Sequence, residues 1–135
     1  GYEDLDNKII LDAGCGGGRF IYIVSQNSKA KEIFGVDLSS AVFTAFKNTQ
    51  HTDNVTILQA DITKLPFKKK EKTFDFIYSV GVLHHLPNPQ TGFSSLTQHL
   101  KDDGEILTWV YGKEGNFLYI TFADPIRKAI TSKRT

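Results

Sequence analysis

Asp12, Gly14, Gly16 and Gly18 have the types and the spacing to hold a small polar ligand. Glycine tolerates a positive φ and carries no Cβ, so a loop with glycine at every second position can bring its backbone close to a ligand. A helix opening just after such a loop adds free N–H groups at its N-terminus. The spacing also separates ligand classes. A dinucleotide fingerprint, G-x-G-x-x-G, begun at Gly14 would need a glycine at position 19, where the chain has Arg19. The acid at position 12 suits a ligand with an ammonium group better than one with a pyrophosphate. Cys15 lies inside the loop, where a small side chain fits behind the turn, and no base stands in register to make it a nucleophile. Two further acids follow. Asp37 can accept both hydroxyls of a ribose, or cap the helix after it. Asp61 can meet a ligand or simply form a turn.

These residues need elements to position them. Short β-rich apolar runs occur at 8–13, 32–37, 55–60, 74–80 and 105–111, several of them nearly continuous, as strands covered on both faces are. Helical spacing lies between them. Phe20, Ile23 and Val24 stand at i, i+3, i+4, and Val42, Ala45 and Phe46 repeat that pattern after Ser39 and Ser40. Phe93, Leu96, Thr97 and Leu100 extend it, in a helix predicted to begin after Pro87-Asn88-Pro89 and to stop near Asp103-Gly104. Alternating strands and helices with right-handed crossovers give a parallel sheet with helices on both faces. Ligands of such sheets bind beyond the carboxyl ends of the strands. Asp12, Asp37 and Asp61 fall at three successive strand ends.

The run from Asp12 to Gly18 resembles the D/E-x-G-x-G-x-G loop of class I S-adenosylmethionine-dependent methyltransferases. The run from Phe74 through Asp75, Ile77, Leu83, His84 and His85 to Leu86 is similar to the F-D-x-I/V…L-H-H-L segment of small-molecule members, such as those that methylate quinone precursors. The resemblance spans Ile9 to about Tyr111, with four motifs in order. It implies a Rossmann-like sheet and S-adenosylmethionine as cofactor. It implies that Asp12, Gly14, Cys15, Gly16 and Gly18 form the cofactor loop and that Asp37 holds the ribose. It further implies that Leu38 and Ile62 pack on the adenine, that Asp61 accepts from its amine, and that Ser79 and Val80 lie near the cofactor. Val82, Leu83 and His84 would then flank the methyl path. One turn departs from the family, with Leu100-Lys101-Asp102-Asp103-Gly104 where L-K-P-G-G is common.

Methyl transfer from a sulfonium is an in-line displacement that rests mainly on alignment and exclusion of water. A base is needed only if the acceptor must lose a proton, and His84 is the candidate. The balance of 16 basic and 15 acidic residues gives no general case for nucleic acid or anionic membrane. The lysines of 68–72 read as a solvated loop. One cysteine can form neither an internal disulfide nor a four-ligand zinc site, so no metal is expected and a reducing, cytoplasmic setting is the default. No apolar run reaches the roughly 18 residues of a membrane span.

The expected organisation is therefore a cofactor-binding core at 1–111. After it, 112–135 begins a helical insertion or acceptor-site cover, and the final antiparallel strands are missing. The expected acceptor is a small molecule and not nucleic acid. The outer edge of the fifth strand, left unpaired, could join a second copy. A nicotinamide-dependent oxidoreductase and a non-catalytic S-adenosylmethionine-binding domain remain as alternatives.

Overall fold

The computed structural model describes residues 1–68, 71–112 and 115–122. Strands β1 (Ile9–Ala13), β2 (Glu32–Asp37), β3 (Val55–Gln59), β4 (Phe74–Val80), β5 (Leu100–Gly112) and β6 (Gly115–Phe122) form one sheet in the order β3-β2-β1-β4-β5-β6. The first five run parallel, and β6 is antiparallel to β5. Helices α1 (Arg19–Asn27) and α2 (Ala41–Thr49) cover one face and α3 (Pro89–Gln98) the other. Alternate residues of β1 feed two cores. Ile10 packs with Ile21, Val24 and Ala45 on one side, while Leu11 packs with Phe74, Ile77 and Leu96 on the other. That double burial is why the strands read as apolar runs rather than as alternation.

Three expectations need correction. The buried faces of the helices are rotated from the ones the spacing suggested. Ile21 and Val24 face the sheet in α1, and Val42, Ala45 and Thr49 are buried in α2, while Phe20 and Phe46 are 47% and 60% exposed. The third helix does not reach Gly104. Asn88 caps it by accepting from the N–H groups of Gln90 and Thr91, but it ends at Gln98, and Leu100 already pairs with Phe74 in the sheet.

The segment after Tyr111 supplies a strand, not a helix. β6 pairs with β5 in register from Glu105↔Phe122 to Gly112↔Gly115. Only two positions separate the paired glycines, and aromatic and β-branched residues lie on both sides, a hairpin pattern that the apolar reading passed over. The outer edge of β5 is thus covered along that length, which removes it as a docking edge for a second copy. The helix expected from Asp124 onward lies outside the described residues.

Two long-range hydrogen bonds fasten β4 to β1. Asp75 accepts from the Ile9 N–H at 2.8 Å and also from Lys101 at 3.0 Å, and the buried Ser79 hydroxyl donates to the Ala13 carbonyl at 2.8 Å. Under the α3 face, Phe34, Phe67 and Phe74 meet edge to face, with ring centres 5.2–5.7 Å apart. A membrane-crossing helix is absent from the described residues, none being long and apolar enough.

Candidate functional site

The carboxyl ends of β1, β2 and β3 lie side by side, with Ala13 opposite Val36 and Asp37 opposite Gln59. The chain leaves β1 through a turn pinned to β2: the N–H groups of Gly14 and Cys15 both donate to the Val36 carbonyl, at 2.7 and 3.0 Å. Gly14, Gly16 and Gly18 all have positive φ (89°, 52° and 80°). A Cβ on Gly14 would sit 2.3 Å from a Val82 methyl, and one on Gly18 would sit 3.0 Å from the Ala45 backbone. Gly16 differs: a Cβ there would meet nothing within 4 Å. The loop is therefore closed by packing at its two ends and open at its middle, as a cradle for a ligand is.

Asp37 stands beside that opening. Its Oδ2 accepts from the Gly16 N–H at 2.8 Å, and its Oδ1 accepts from the Ser39 N–H and hydroxyl at 2.8 and 2.7 Å. Burial pushes the Asp37 carboxyl up, but these three donors outweigh it and hold it below the usual carboxylate range. Two carboxylate oxygens offer about four acceptor sites in all. Asp37 can therefore shape the turn and still accept from a hydroxyl. The helix cap offered as the alternative is not made: α2 starts after Ser40 with no side-chain cap bond, and Asp37 bonds the turn ahead of it.

The other expected residues divide between cradle and core. Leu38, next to Asp37, is 67% exposed, as a surface for a flat ring would be. Asp61 commits Oδ1 to the N–H and hydroxyl of Thr63, and these bonds lower its pKa. Ile62 is turned inward and buried in the α3-side core with Leu11, Leu83 and Leu96, so its side chain is a core residue rather than an open ring-packing face. Ser79 is fully buried on the Ala13 carbonyl, and Val80 packs on the α1 side. Ser79 thus sets the end of β1 from which the loop departs. Burial pushes the Cys15 thiol up to about 12, with Asp12 and Asp37 adding to the effect, so it stays protonated at neutral pH. Its part in the loop is the backbone N–H bond to Val36. Among the described residues, no cluster of ligating side chains could hold a metal ion.

Val82 brings the exit loop of β4 onto the glycine loop. It also caps the single turn Leu83–His85, in which Leu83 is buried, His84 is half-buried and His85 is exposed, with the two imidazole rings 4.0 Å apart. Sequence reasoning assigned no role to Asn48, whose amide donates to the Gly17 carbonyl at 3.1 Å and clamps α2 to the loop. A polar residue on an outer helix face carries no signal of such a contact. Tyr78 was also passed over, although it lies opposite Asp12 in the sheet.

A parallel sheet with a three-glycine loop at its first strand end and carboxylates at the next ends defines a nucleoside-cofactor-binding α/β domain. The comparisons narrow the class. Residues 11–108 match the family model described as "Methyltransferase domain", and the chain belongs to that family. S-adenosylmethionine is the cofactor this frame serves.

The chain is 30% identical over 118 residues to a tRNA U34 carboxymethyltransferase of Pseudoalteromonas atlantica, covering 84% of this chain and 35% of that protein. It is also 30% identical over 108 residues to the protein of that name from Aliarcobacter butzleri, covering 78% and 34%. It thus spans about a third of the length of these curated relatives. Among solved structures, it superposes on a putative methyltransferase in complex with the Trm112 methyltransferase activator of Haloferax volcanii. There the TM-score is 0.73 at 24% identity, over 81% of this chain and 48% of that one. For a methyltransferase dependent on S-adenosylmethionine from Aquifex aeolicus, the TM-score is 0.71 at 22% identity, over 84% and 60%. The last two likenesses establish the fold. The relatives named for tRNA overturn the expectation that nucleic acid can be excluded in favour of a small-molecule acceptor. Overall charge balance cannot reveal an acceptor bound by a local surface.

Asp37→Ala is expected to leave the circular dichroism spectrum nearly unchanged. Affinity for S-adenosylhomocysteine should fall by about 1.5–3 kcal/mol, the range for hydrogen bonds to a charged group. Equal affinity in calorimetry would remove Asp37 from the site.

Proposed function

We propose that the chain is the cofactor-binding part of an enzyme that moves a methyl group from S-adenosylmethionine to a nucleoside of RNA. The observation that carries the cofactor half is the open cradle at Gly16 beside Asp37, whose carboxylate keeps an acceptor site to spare. The RNA half draws its support from the curated relatives named for tRNA, matched over 84% of this chain.

When bound, the sulfonium supplies an activated methyl group with a neutral leaving group. This chain would then hold and orient. Asp37 takes the ribose, Leu38 and the remaining Asp61 oxygen face the adenine, and the glycine loop takes the amino-acid end, with Val80 alongside. His84, half-buried on the turn that Val82 ties to the glycine loop, is the residue proposed to accept a proton if the acceptor must lose one. The single buried thiol suits action in a reducing, cytoplasmic setting.

Two measurements test the two halves. Calorimetry should show S-adenosylhomocysteine binding to this chain and NAD failing to bind. The longest natural polypeptide carrying this sequence, given methyl-labelled S-adenosylmethionine and unmodified tRNA, should place label in ribonuclease-sensitive material. Binding without any label in RNA would overturn the acceptor and leave the cofactor assignment standing.

A further inference from the structure

Helices α1 and α2 pack on the same face of the sheet, with Gly18 tight against the Ala45 backbone. Their outer sides carry most of the exposed apolar surface. Six large hydrophobic residues are exposed among the described ones, and four of them lie in these two helices: Phe20, Tyr22, Phe43 and Phe46, at 47–69%. Single exposed apolar residues are ordinary, whereas aromatic rings gathered on one layer mark an interaction site. The packing of the helices does not use these rings. Ile21 and Val24 in α1, and Val42 and Ala45 in α2, already supply their buried sides.

The charge on this layer is one-sided as well. Residues 14–31 and 38–52 carry Arg19, Lys29, Lys31 and Lys47 and no acidic residue, in a chain with 15 acids. All four cations are exposed. Glu32, Asp37 and Asp53 border the two segments but stand on neither helix. On α2, Phe43, Phe46 and Lys47 are spaced i, i+3, i+4, so two rings and a cation share the exposed side. On α1, Arg19 and Tyr22 are spaced i, i+3 and are both exposed.

Exposed flat rings beside cations, without carboxylates, suit one partner chemistry. Unpaired bases stack on aromatic side chains, and the phosphates between them pair with arginine and lysine. A second copy of the chain fits less well, because a symmetric pairing of this face sets its cations against one another. We infer that the outer side of α1 and α2 is a docking surface for single-stranded RNA, with bases stacked on Phe43 and Phe46 and phosphates at Arg19 and Lys47. The inference rests on the RNA reading of the acceptor and names the surface that would carry it. Its place in the fold is apt. Phe20 is the second residue of α1 and Phe43 the third of α2, so both rings stand in first turns that open just after the glycine loop and Asp37. A strand held there lies next to the cofactor cradle.

The test is fluorescence anisotropy on the longest natural polypeptide carrying this sequence, with a fluorescein-labelled, unstructured RNA 12-mer and with the duplex of that 12-mer. The single strand should bind more tightly than the duplex, whose paired bases cannot stack. Phe43→Ala and Phe46→Ala should each weaken the single strand by about 5- to 150-fold, the effect of losing one stacked base. Lys47→Gln should reduce the slope of log affinity against log salt by about 0.7, the value for one phosphate contact on a single strand. Thermal unfolding and affinity for S-adenosylhomocysteine should stay unchanged in all three variants, which separates a lost RNA contact from a damaged fold. Full RNA affinity in a Phe43→Ala, Phe46→Ala double variant would overturn this surface, and label still entering tRNA would then leave the RNA reading standing. A wild-type dimer that becomes monomeric in the double variant, with RNA affinity intact, would assign the face to a second copy and overturn the inference. No RNA binding by the wild type, with no label in tRNA, would overturn the RNA reading and this surface together.

Discussion

Gly16→Val should abolish binding of S-adenosylhomocysteine, with a loss of more than a hundredfold, or about 3 kcal/mol. Two effects combine. The added side chain projects into the only part of the three-glycine opening that packing leaves free. A β-branched residue also resists the φ of 52° that Gly16 adopts, and the left-handed region costs an ordinary residue about 1–2 kcal/mol. If the backbone escapes by rotating, the Gly16 N–H leaves Asp37, and the ribose contact proposed for that carboxylate goes with it. Thermal unfolding should show only the smaller backbone cost. Retained affinity would mean that the ligand does not approach this peptide, and the cradle would have to be placed elsewhere.

Phe74→Ala should cost about 3–5 kcal/mol of folding stability, the usual range for truncating a buried aromatic residue. Phe74 is fully buried at the start of β4 and meets Phe34 and Phe67 edge to face, and Phe67 in turn meets the His99 ring. The cavity would open between β2, β4 and the loop before β4, and the Thr73 and Phe74 N–H groups, which both donate to the His99 carbonyl, limit how far the neighbours can close it. Domains of ordinary stability hold about 5–15 kcal/mol, so the variant should be near the edge of folding. Urea unfolding of Phe74→Ala beside Phe74→Leu measures this, with the leucine variant keeping more of the lost contact. A loss below about 1 kcal/mol would mean that the three rings re-form a packed cluster without the fourth partner.

The strands of this fold were legible because burial on both faces leaves an apolar run whose limits are marked by glycine, acid and polar residues. Glu32–Asp37 and Phe74–Val80 stand as the pattern bounds them. The helices were legible in place but not in rotation. In α1, both Phe20 with Ile23 and Val24, and Ile21 with Val24, fit helical spacing. What chooses between them is tertiary: Ile21 and Val24 are the pair buried in α1, and Gly18 at its start stands tight against the Ala45 backbone. The positions of the acids were legible: Asp12 stands near the end of β1 and Asp37 at the end of β2, as the pattern placed them. Ile62 was misjudged because its neighbour Asp61 closes a tight turn that rotates the side chain into the core. β6 was missed since its apolar residues suit a buried helix or a strand equally, and only the register with β5 decides.

The two hydrogen bonds that fasten β1 to β4 each join residues 66 positions apart. The rest of the N-terminal half is assembled from neighbours, β1 with β2 and β2 with β3, and can form by short closures. The seam between β1 and β4 has to wait until the whole intervening chain has been gathered, which makes it a slow, entropy-limited step. Ala13, whose carbonyl anchors that seam, is the last residue before the glycine loop. Val82, which closes the Gly14 end of the loop, follows β4, so that end of the loop shares the same long closure.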